Sequence, residues 1–242
     1  MLELCYQTFY HPHNMMLFVV GNIQPEELMD VIKENQNKKH FLPETSIQRK
    51  KIEEPESVAV KEQIDIMQVE MNKLIVSIKV NDIMTNPQEK IKRELSFNLL
   101  FDLYFSKSSV LYNEWLSKGY INETFSANFT QERDYAFILI GGDQDDYHLL
   151  QKTIFDFIEH IDDLVIEQED FERIKRKTIG NFINSYNSPE SIANSFSRYY
   201  FEGICSFELV NYVSKITIAD LNEVKKYFNK EYASTYIVKK DK

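Results

Sequence analysis

Hydrophobic and polar positions alternate along this chain in two rhythms, one of period near 3.6 and one of period 2 or continuous, and most of the elements can be placed from them. Met15 to Val20 is an unbroken apolar run closed by Gly21 and Asn22. Behind it, "QPEELMDVIKENQ" has a proline and two acids in its first turn, so the pair reads as a strand followed by a helix. From Lys38 to Val60 neither rhythm is sustained, and the charged, proline-bearing composition is that of a connecting segment. The pattern resumes with a strand at Lys73 to Val80. A helix opened by Pro87 follows, with Ile91, Leu95, Leu99 and Leu103 on one face. A short helix, "SSVLYNEWLSKG", stops at Gly119. Ile121 to Phe129 alternates and Tyr135 to Ile140 is continuously apolar, which predicts two antiparallel strands joined through "TQERD". The next helix places Leu150, Ile154, Phe157, Ile158 and Ile161 on one face, and three or four more fill Glu167 to Asn229. The second of these opens with Ser188 as N-cap and Pro189 at its first position. The chain closes on a strand at Ala233 to Val238. The fold class is therefore α+β, a mainly antiparallel sheet with helices packed on one face.

Composition narrows the function classes. The 242 residues are 43% hydrophobic and 27% charged, enough apolar material to fill a core. A net charge of -10 argues against a nucleic-acid partner and an anionic membrane surface, because both need clustered Lys and Arg. The one basic run, Arg173 to Lys177, lies in a helical pattern and reads as a solvated face. No apolar run reaches the length of a membrane span. Cys5 and Cys205 are too few for a disulfide framework, and the sequons at Asn122 and Asn128 follow no signal-peptide pattern, so a cytoplasmic protein is expected.

The candidate chemistry is sparse. His11 and His13 could form half of a metal site, but no third ligand lies nearby, and a polar loop entering a strand explains them as well. Asp143 to Asp146 start like a calcium loop, yet His148 and Ile154 stand where that loop needs a glycine and a bidentate glutamate. The acids read instead as the cap of the following helix. Helical zinc-peptidase signatures need two histidines four residues apart, and His11, His13, His40, His148 and His160 supply no such pair. No serine stands in a nucleophile-elbow context, and neither cysteine has a histidine near it in sequence. Taken alone, the residues display no catalytic constellation.

Two endings resemble each other: "FYHPHNMMLFVVGNIQPEEL" near the start and "YFNKEYASTYIVKK" at the end. The first resembles the segment with which members of the pitrilysin/insulinase family of zinc metallopeptidases close their first domain. "SSVLYNEWLSKGYINETFS", "AFILIGGD" and "DFERIKRKTIGNFINSYNSPESIANSFSRYYFEG" are similar to successive blocks of that family's second domain. Their wording is nearest to the YmfH-type bacterial branch of the processing-peptidase-like group. The family is built from paired α+β domains of similar fold, so the resemblance implies three segments. Residues 1–42 would be the terminal strand and helix of a preceding domain, 43–60 a linker, and 61–242 the second, non-zinc domain.

The resemblance further implies that zinc and the general base belong to an N-terminal half, with no cofactor held by these residues. Family members contribute an arginine and a tyrosine from the second domain, seven residues apart, to hold the substrate. Allowing one gap, Leu116 and Asn122 occupy those places here, and neither matches. Asn122, and Tyr120 in a neighbouring register, are carried as substrate-contact candidates. As a strand, this stretch would send Ile121, Glu123, Phe125 and Ala127 to one face and Asn122, Thr124 and Ser126 to the other, toward a cavity. Two functions are implied. One is the C-terminal half of a zinc metallopeptidase-like protein, walling a chamber that holds peptide substrates. The other is a non-catalytic subunit that binds a related partner. An apolar strand at Met15 to Val20 without its sheet also predicts a homo-oligomer for these residues alone.

Overall fold

The computed structural model describes residues 1–41, 47, 50 and 53–241. They form two compact units, one from Met1–Glu53 with Ile183–Phe207 and a larger one from Glu54–Phe182 with Glu208–Lys242. Most of the stretch expected to be a linker, 43–60, falls on or beside residues outside that description.

The larger unit is organised by a five-stranded sheet. Its strands are β1 (Glu62–Met67), β2 (Lys73–Lys79), β3 (Ser126–Gln131), β4 (Ala136–Asp143) and β5 (Ala233–Lys240), in the spatial order β1-β5-β2-β4-β3. Only β1 and β5 are parallel, and every other pair is antiparallel. The closing strand thus lies between the first two, with Ile75 opposite both Gly141 and Tyr236. Leu74, Val76 and Ile78 of β2 are buried, as are Ala136, Ile138 and Ile140 of β4 and Ala233, Thr235 and Ile237 of β5. These residues share one face, because side chains alternate along a strand and the register aligns them across the sheet. On the other face Ile75 and Tyr236 are exposed and Phe137 and Leu139 half-buried. The sheet is mainly antiparallel with its helices on one face, as its sequence pattern implies.

That buried face carries α3 (Pro87–Phe105) and α5 (Tyr147–His160). Asn86 caps α3 by accepting from the backbone of Gln88 and Glu89, ahead of Pro87 at the first position. Of the apolar stripe read from sequence, Ile91, Leu95 and Leu99 are buried and Leu103 is half-buried, while Phe97, Leu100, Phe101 and Tyr104 are buried as well, so α3 is enclosed on nearly all sides. Phe97 stacks on Phe129 of β3 with ring centroids 4.0 Å apart. Each such side chain contributes about 1.5–3 kcal/mol before its ordering entropy is set against it. α5 buries Leu150, Ile154, Phe157 and Ile158, with Ile161 just beyond its end, and its N-cap is Asp146, which accepts from Leu149. Of the acids of "DQDD", Asp146 caps the helix and Asp143 ends β4.

One charge lies deep in this layer. Arg93 is 4% exposed, and its Nε donates to Gln131 Oε1 at 2.8 Å and its Nη1 to the Asp82 carbonyl at 2.8 Å. The guanidinium sits over the rings of Phe129 and Tyr227, and Tyr227 donates its hydroxyl proton to Asp82. Pairing on every side is what a buried charge requires. The remaining helices are α4 (Val110–Ser117), α6 (Gln168–Ser185), α8 (Leu209–Lys215) and α9 (Ile218–Lys225). The last opens with a capping box between Thr217 and Asp220. Burial pulls the Lys225 ammonium below the ordinary lysine range and pushes the Tyr104 phenol up to about 12. Both groups donate to the Leu164 carbonyl.

The smaller unit contains α1 (Leu2–Phe9), α2 (Pro25–Asn37) and α7 (Pro189–Phe201). α2 and α7 begin where the proline signals place them, and Ser188 caps α7 by accepting from Ser191. Two sequence expectations are corrected. Among the described residues Met15 to Val20 pairs with no strand, although its backbone is drawn out between a 3-10 turn and α2, because a strand needs a partner to pair with. Ile121 to Phe125 is a turn, and β3 starts only at Ser126. The alternation there arises from Ile121 and Phe125, two buried plugs of a loop, and not from a strand. Two elements had no clear signal: α1, which buries no residue, and β1, an edge strand with exposed Ile64 and Ile66.

Candidate functional site

The two substrate-contact candidates lie on the loop between α4 and β3, so the geometry begins with α4. Ser109 is buried. Its hydroxyl donates to the Tyr104 carbonyl at 2.6 Å and accepts from the Tyr112 amide at 3.1 Å, fastening the start of α4 to the end of α3. At the other end Gly119 takes φ +70°, the left-handed conformation that costs a side chain about 1–2 kcal/mol. The Gly119 amide returns to the Leu116 carbonyl at 3.1 Å and the Tyr120 amide to Trp115 at 2.9 Å. This double bond pattern is the Schellman end of a helix. It turns the chain so that Ile121 and Phe125 enter the core beside Trp115, Phe105 and Phe157.

Tyr120 and Asn122 project from this anchored loop on different terms. The Tyr120 carbonyl accepts from Gln144 Nε2 at 3.3 Å, and the Lys118 ammonium lies 5.8 Å from the centre of the Tyr120 ring. Lys118 is held above the usual lysine range, first by its hydrogen bond to Glu114 and then by that carboxylate's charge. The Tyr120 phenol makes no hydrogen bond among the described residues and is half-exposed. It is thus available to a ligand. Asn122 is differently committed. Its Oδ1 accepts from the Thr124 amide at 2.9 Å and hydroxyl at 2.6 Å, and its Nδ2 donates to the Asp143 carbonyl at 2.7 Å. Thr124 Oγ1 in turn accepts from the Asp143 amide at 2.7 Å. The Asn122 amide therefore ties the loop to the last residue of β4. Asp143 also pairs with Lys73 at 2.8 Å. Leu116, on the last turn of α4, presents an apolar side chain to solvent.

Nothing in this neighbourhood suits a metal. Among the described residues no three His, Cys, Asp or Glu side chains come together in a group able to hold one. His11 and His13 stack on each other with centroids 5.1 Å apart, and His11 Nδ1 accepts from the His13 amide, which turns a donor inward. His160 Nδ1 engages the Asp156 carbonyl of its own helix. His11, His13 and His160 are thus each engaged within the chain. No helix among the described residues is long and apolar enough to cross a membrane.

The exposed face of the sheet carries none of the candidate residues. Its signal stands in the sequence, since "KLIVSIKV" and "AFILIGGD" carry apolar residues at both parities, which marks strands with something to offer on each side.

The chain is similar to known proteins along almost its whole length. It is 40% identical over 224 residues, 93% of the chain and 52% of the relative, to the uncharacterized zinc protease YmfH of Bacillus subtilis (strain 168). Over 246 aligned residues it is 23% identical to zinc protease PqqE of Helicobacter pylori, covering 96% of the chain and 52% of the relative. The chain thus spans about half the length of the curated relatives it matches. Among solved structures, an M16-like protein of Alicyclobacillus acidocaldarius superposes with TM-score 0.91 at 25% identity, covering 99% of this chain and 57% of that one. A protease of Helicobacter pylori shares the fold, with TM-score 0.81 at 20% identity over 98% of this chain and 58% of that one. Residues 1–178 match the family described as the peptidase M16 inactive domain, and the chain belongs to that family.

Proposed function

We propose that the chain is the C-terminal, non-metal-binding half of a zinc metallopeptidase-like protein, and that it walls a chamber in which peptides are held against a metal bound by the other half. One observation carries this reading: these residues match an inactive peptidase domain while spanning about half the length of relatives named zinc proteases. Residues 1–42 are proposed to close the preceding domain, 43–60 to link, and 61–242 to form the second domain. Within the second domain Tyr120 is the better substrate contact, since its phenol is unengaged, whereas Asn122 supports the loop on which Tyr120 stands.

A second reading is favoured by the residues at the expected arginine and tyrosine positions. An exposed Leu116 and an internally bonded Asn122 offer neither charge nor phenol to a scissile carbonyl. The chain would then be a non-catalytic, partner-binding subunit.

The test joins to the front of this chain the part of the Bacillus subtilis relative that the chain does not match. Zinc-dependent cleavage of an unstructured peptide is then measured. Under the first reading the joined protein cleaves, while either half alone does not. Undiminished cleavage by the Bacillus subtilis part alone would leave only the second reading.

A further inference from the structure

β1 is a terminal strand of the sheet, paired on one side with β5 and on the other with no strand among the described residues. Its register shows which groups are left over. The Lys61 and Met67 carbonyls accept from the Thr235 and Asp241 amides, so the odd-numbered residues turn their backbone toward β5. Successive residues alternate in this respect, so Glu62, Ile64 and Ile66 each turn an N–H and a C=O to the open side. Among the described residues no hydrogen bond reaches those groups. β1 also buries none of its side chains. Ile64 and Ile66 on one face and Met67 on the other are 41%, 70% and 48% exposed.

Edges of this kind are normally blunted by lysine, proline, a bulge or a covering element. β1 contains neither lysine nor proline, and Lys61, just before it, sends its ammonium to the Glu231 carbonyl. What the edge does carry is negative charge. Glu62 accepts from Gln151 Nε2 at 3.1 Å, and Asp65 accepts from Gln63 Nε2 at 3.1 Å and from the Tyr236 hydroxyl at 2.6 Å. These donors are all neutral, and among the described residues neither carboxylate meets a cation. Glu70 stands exposed just past the end of the strand.

We infer that the open edge of β1 docks an extended peptide that alternates apolar and cationic side chains and lengthens the five-stranded sheet by one strand. Such docking needs neither a metal-bearing half nor cleavage, so it stands apart from the proposed function. A strand laid along β1 satisfies the N–H and C=O groups of Glu62, Ile64 and Ile66 in register. Its residues of one parity lie beside Ile64 and Ile66 and those of the other beside Asp65 and Met67, since neighbouring strands share their faces. The first place favours an apolar residue. The second favours lysine or arginine, because cross-strand pairs of opposite charge stabilise a sheet and pairs of like charge destabilise it. The same rule separates this peptide from a second copy of β1. Two copies meeting about a two-fold axis would bring the uncompensated Glu62 and Asp65 of one to those of the other, in chains of net charge -10 each.

The experiment titrates a peptide of about ten residues, alternating valine and lysine, into the dilute chain and follows amide exchange at Glu62, Ile64 and Ile66. Saturating peptide should slow these three amides by at least about tenfold and leave those of Ser126–Gln131 unchanged. Ile66→Pro removes an N–H on the open side, where an edge strand accepts proline, and should raise the peptide concentration at half-protection of Glu62 and Ile64 by about fivefold or more. Ile66→Thr keeps that N–H and should stay within about threefold. Should the proline variant lose its fold, the peptide supplies the control: N-methylation of the amides of one parity should abolish protection, and methylation of the other parity should spare it. A peptide alternating valine and glutamate should protect none of the three amides. Equal protection by the glutamate peptide, protection of β3 in place of β1, or no protection would overturn the inference. So would protection that rises with chain concentration in the absence of peptide, which would give the edge to a second copy.

Discussion

Asn122 is where a residue's chemistry and its place in a pattern part company. Alternation along "GYINETFSANF" makes it a polar side chain pointing away from a core, the kind whose loss costs within about 0.5 kcal/mol. In the folded chain its amide makes three hydrogen bonds, two to Thr124 and one to the Asp143 carbonyl. Asn122→Ala should therefore destabilise the protein by about 1–2 kcal/mol, because it strands partly buried groups at the end of β4. The Tyr120→Phe change removes only an unengaged phenol and should stay within about 0.5 kcal/mol of the parent. Urea unfolding of the two variants checks both values. An Asn122→Ala midpoint equal to the parent's would mean that the loop is held by Ile121 and Phe125 alone. Side-chain hydrogen bonds of this local kind have no period, which is why the loop's anchoring was illegible in the sequence while its apolar plugs were read as a strand.

Among elements, those whose signals are physical stops and starts were read best. Pro25, Pro87 and Pro189 each stand at the first position of a helix, and Gly119 ends one. Long amphipathic helices such as α5 followed from period alone. β1 escaped because an edge strand lacks the buried parity that makes a strand visible, its register being set instead by β5 beside it. β4 runs beyond the apolar stretch that ends at Ile140, through Gly141 and Gly142 to Asp143. A Cβ at Gly141 would meet the Leu74 carbonyl oxygen at 2.1 Å and Ile75 Cα at 2.9 Å, so the neighbouring backbone of β2 occupies the space of a methyl group. Gly141→Ala should cost about 3 kcal/mol or more, since backbone and not a yielding side chain must move. Gly180, inside α6, has nothing within 4 Å of the same atom. Gly180→Ala should instead stabilise by about 0.5–1 kcal/mol through helix propensity. Thermal unfolding of the pair provides the check: a Gly141→Ala protein as stable as its parent would show that β2 and β4 can separate without loss.

At the scale of the whole chain, the two endings that resemble each other in sequence have different fates. Ala233–Lys240 lies within a sheet, paired on one side with β1 and on the other with β2. Met15 to Val20 has no such neighbours, and α1 and α2 beside it bury no residue at all. Of the six consecutive apolar side chains in that segment Met15, Leu17 and Val19 are exposed, and burying these three, at roughly 1.5–3 kcal/mol each, is an incentive to find a partner even after ordering entropy is subtracted. For the chain by itself, the available partner is the same segment of another molecule. Two open edges pairing about a two-fold axis would satisfy backbone on one side of each strand. The isolated chain should therefore self-associate at roughly 10–50 μM, a range in which unpaired strand edges commonly find one another. Deleting residues 1–42 should yield a monomer, and the joined protein should be monomeric as well, because its own sheet fills the edge. Light scattering of the three proteins at matched concentration decides. A monomeric isolated chain whose mass is unchanged by the deletion would mean that the exposed parity of Met15, Leu17 and Val19 is tolerated by water, and the self-association argument would fail.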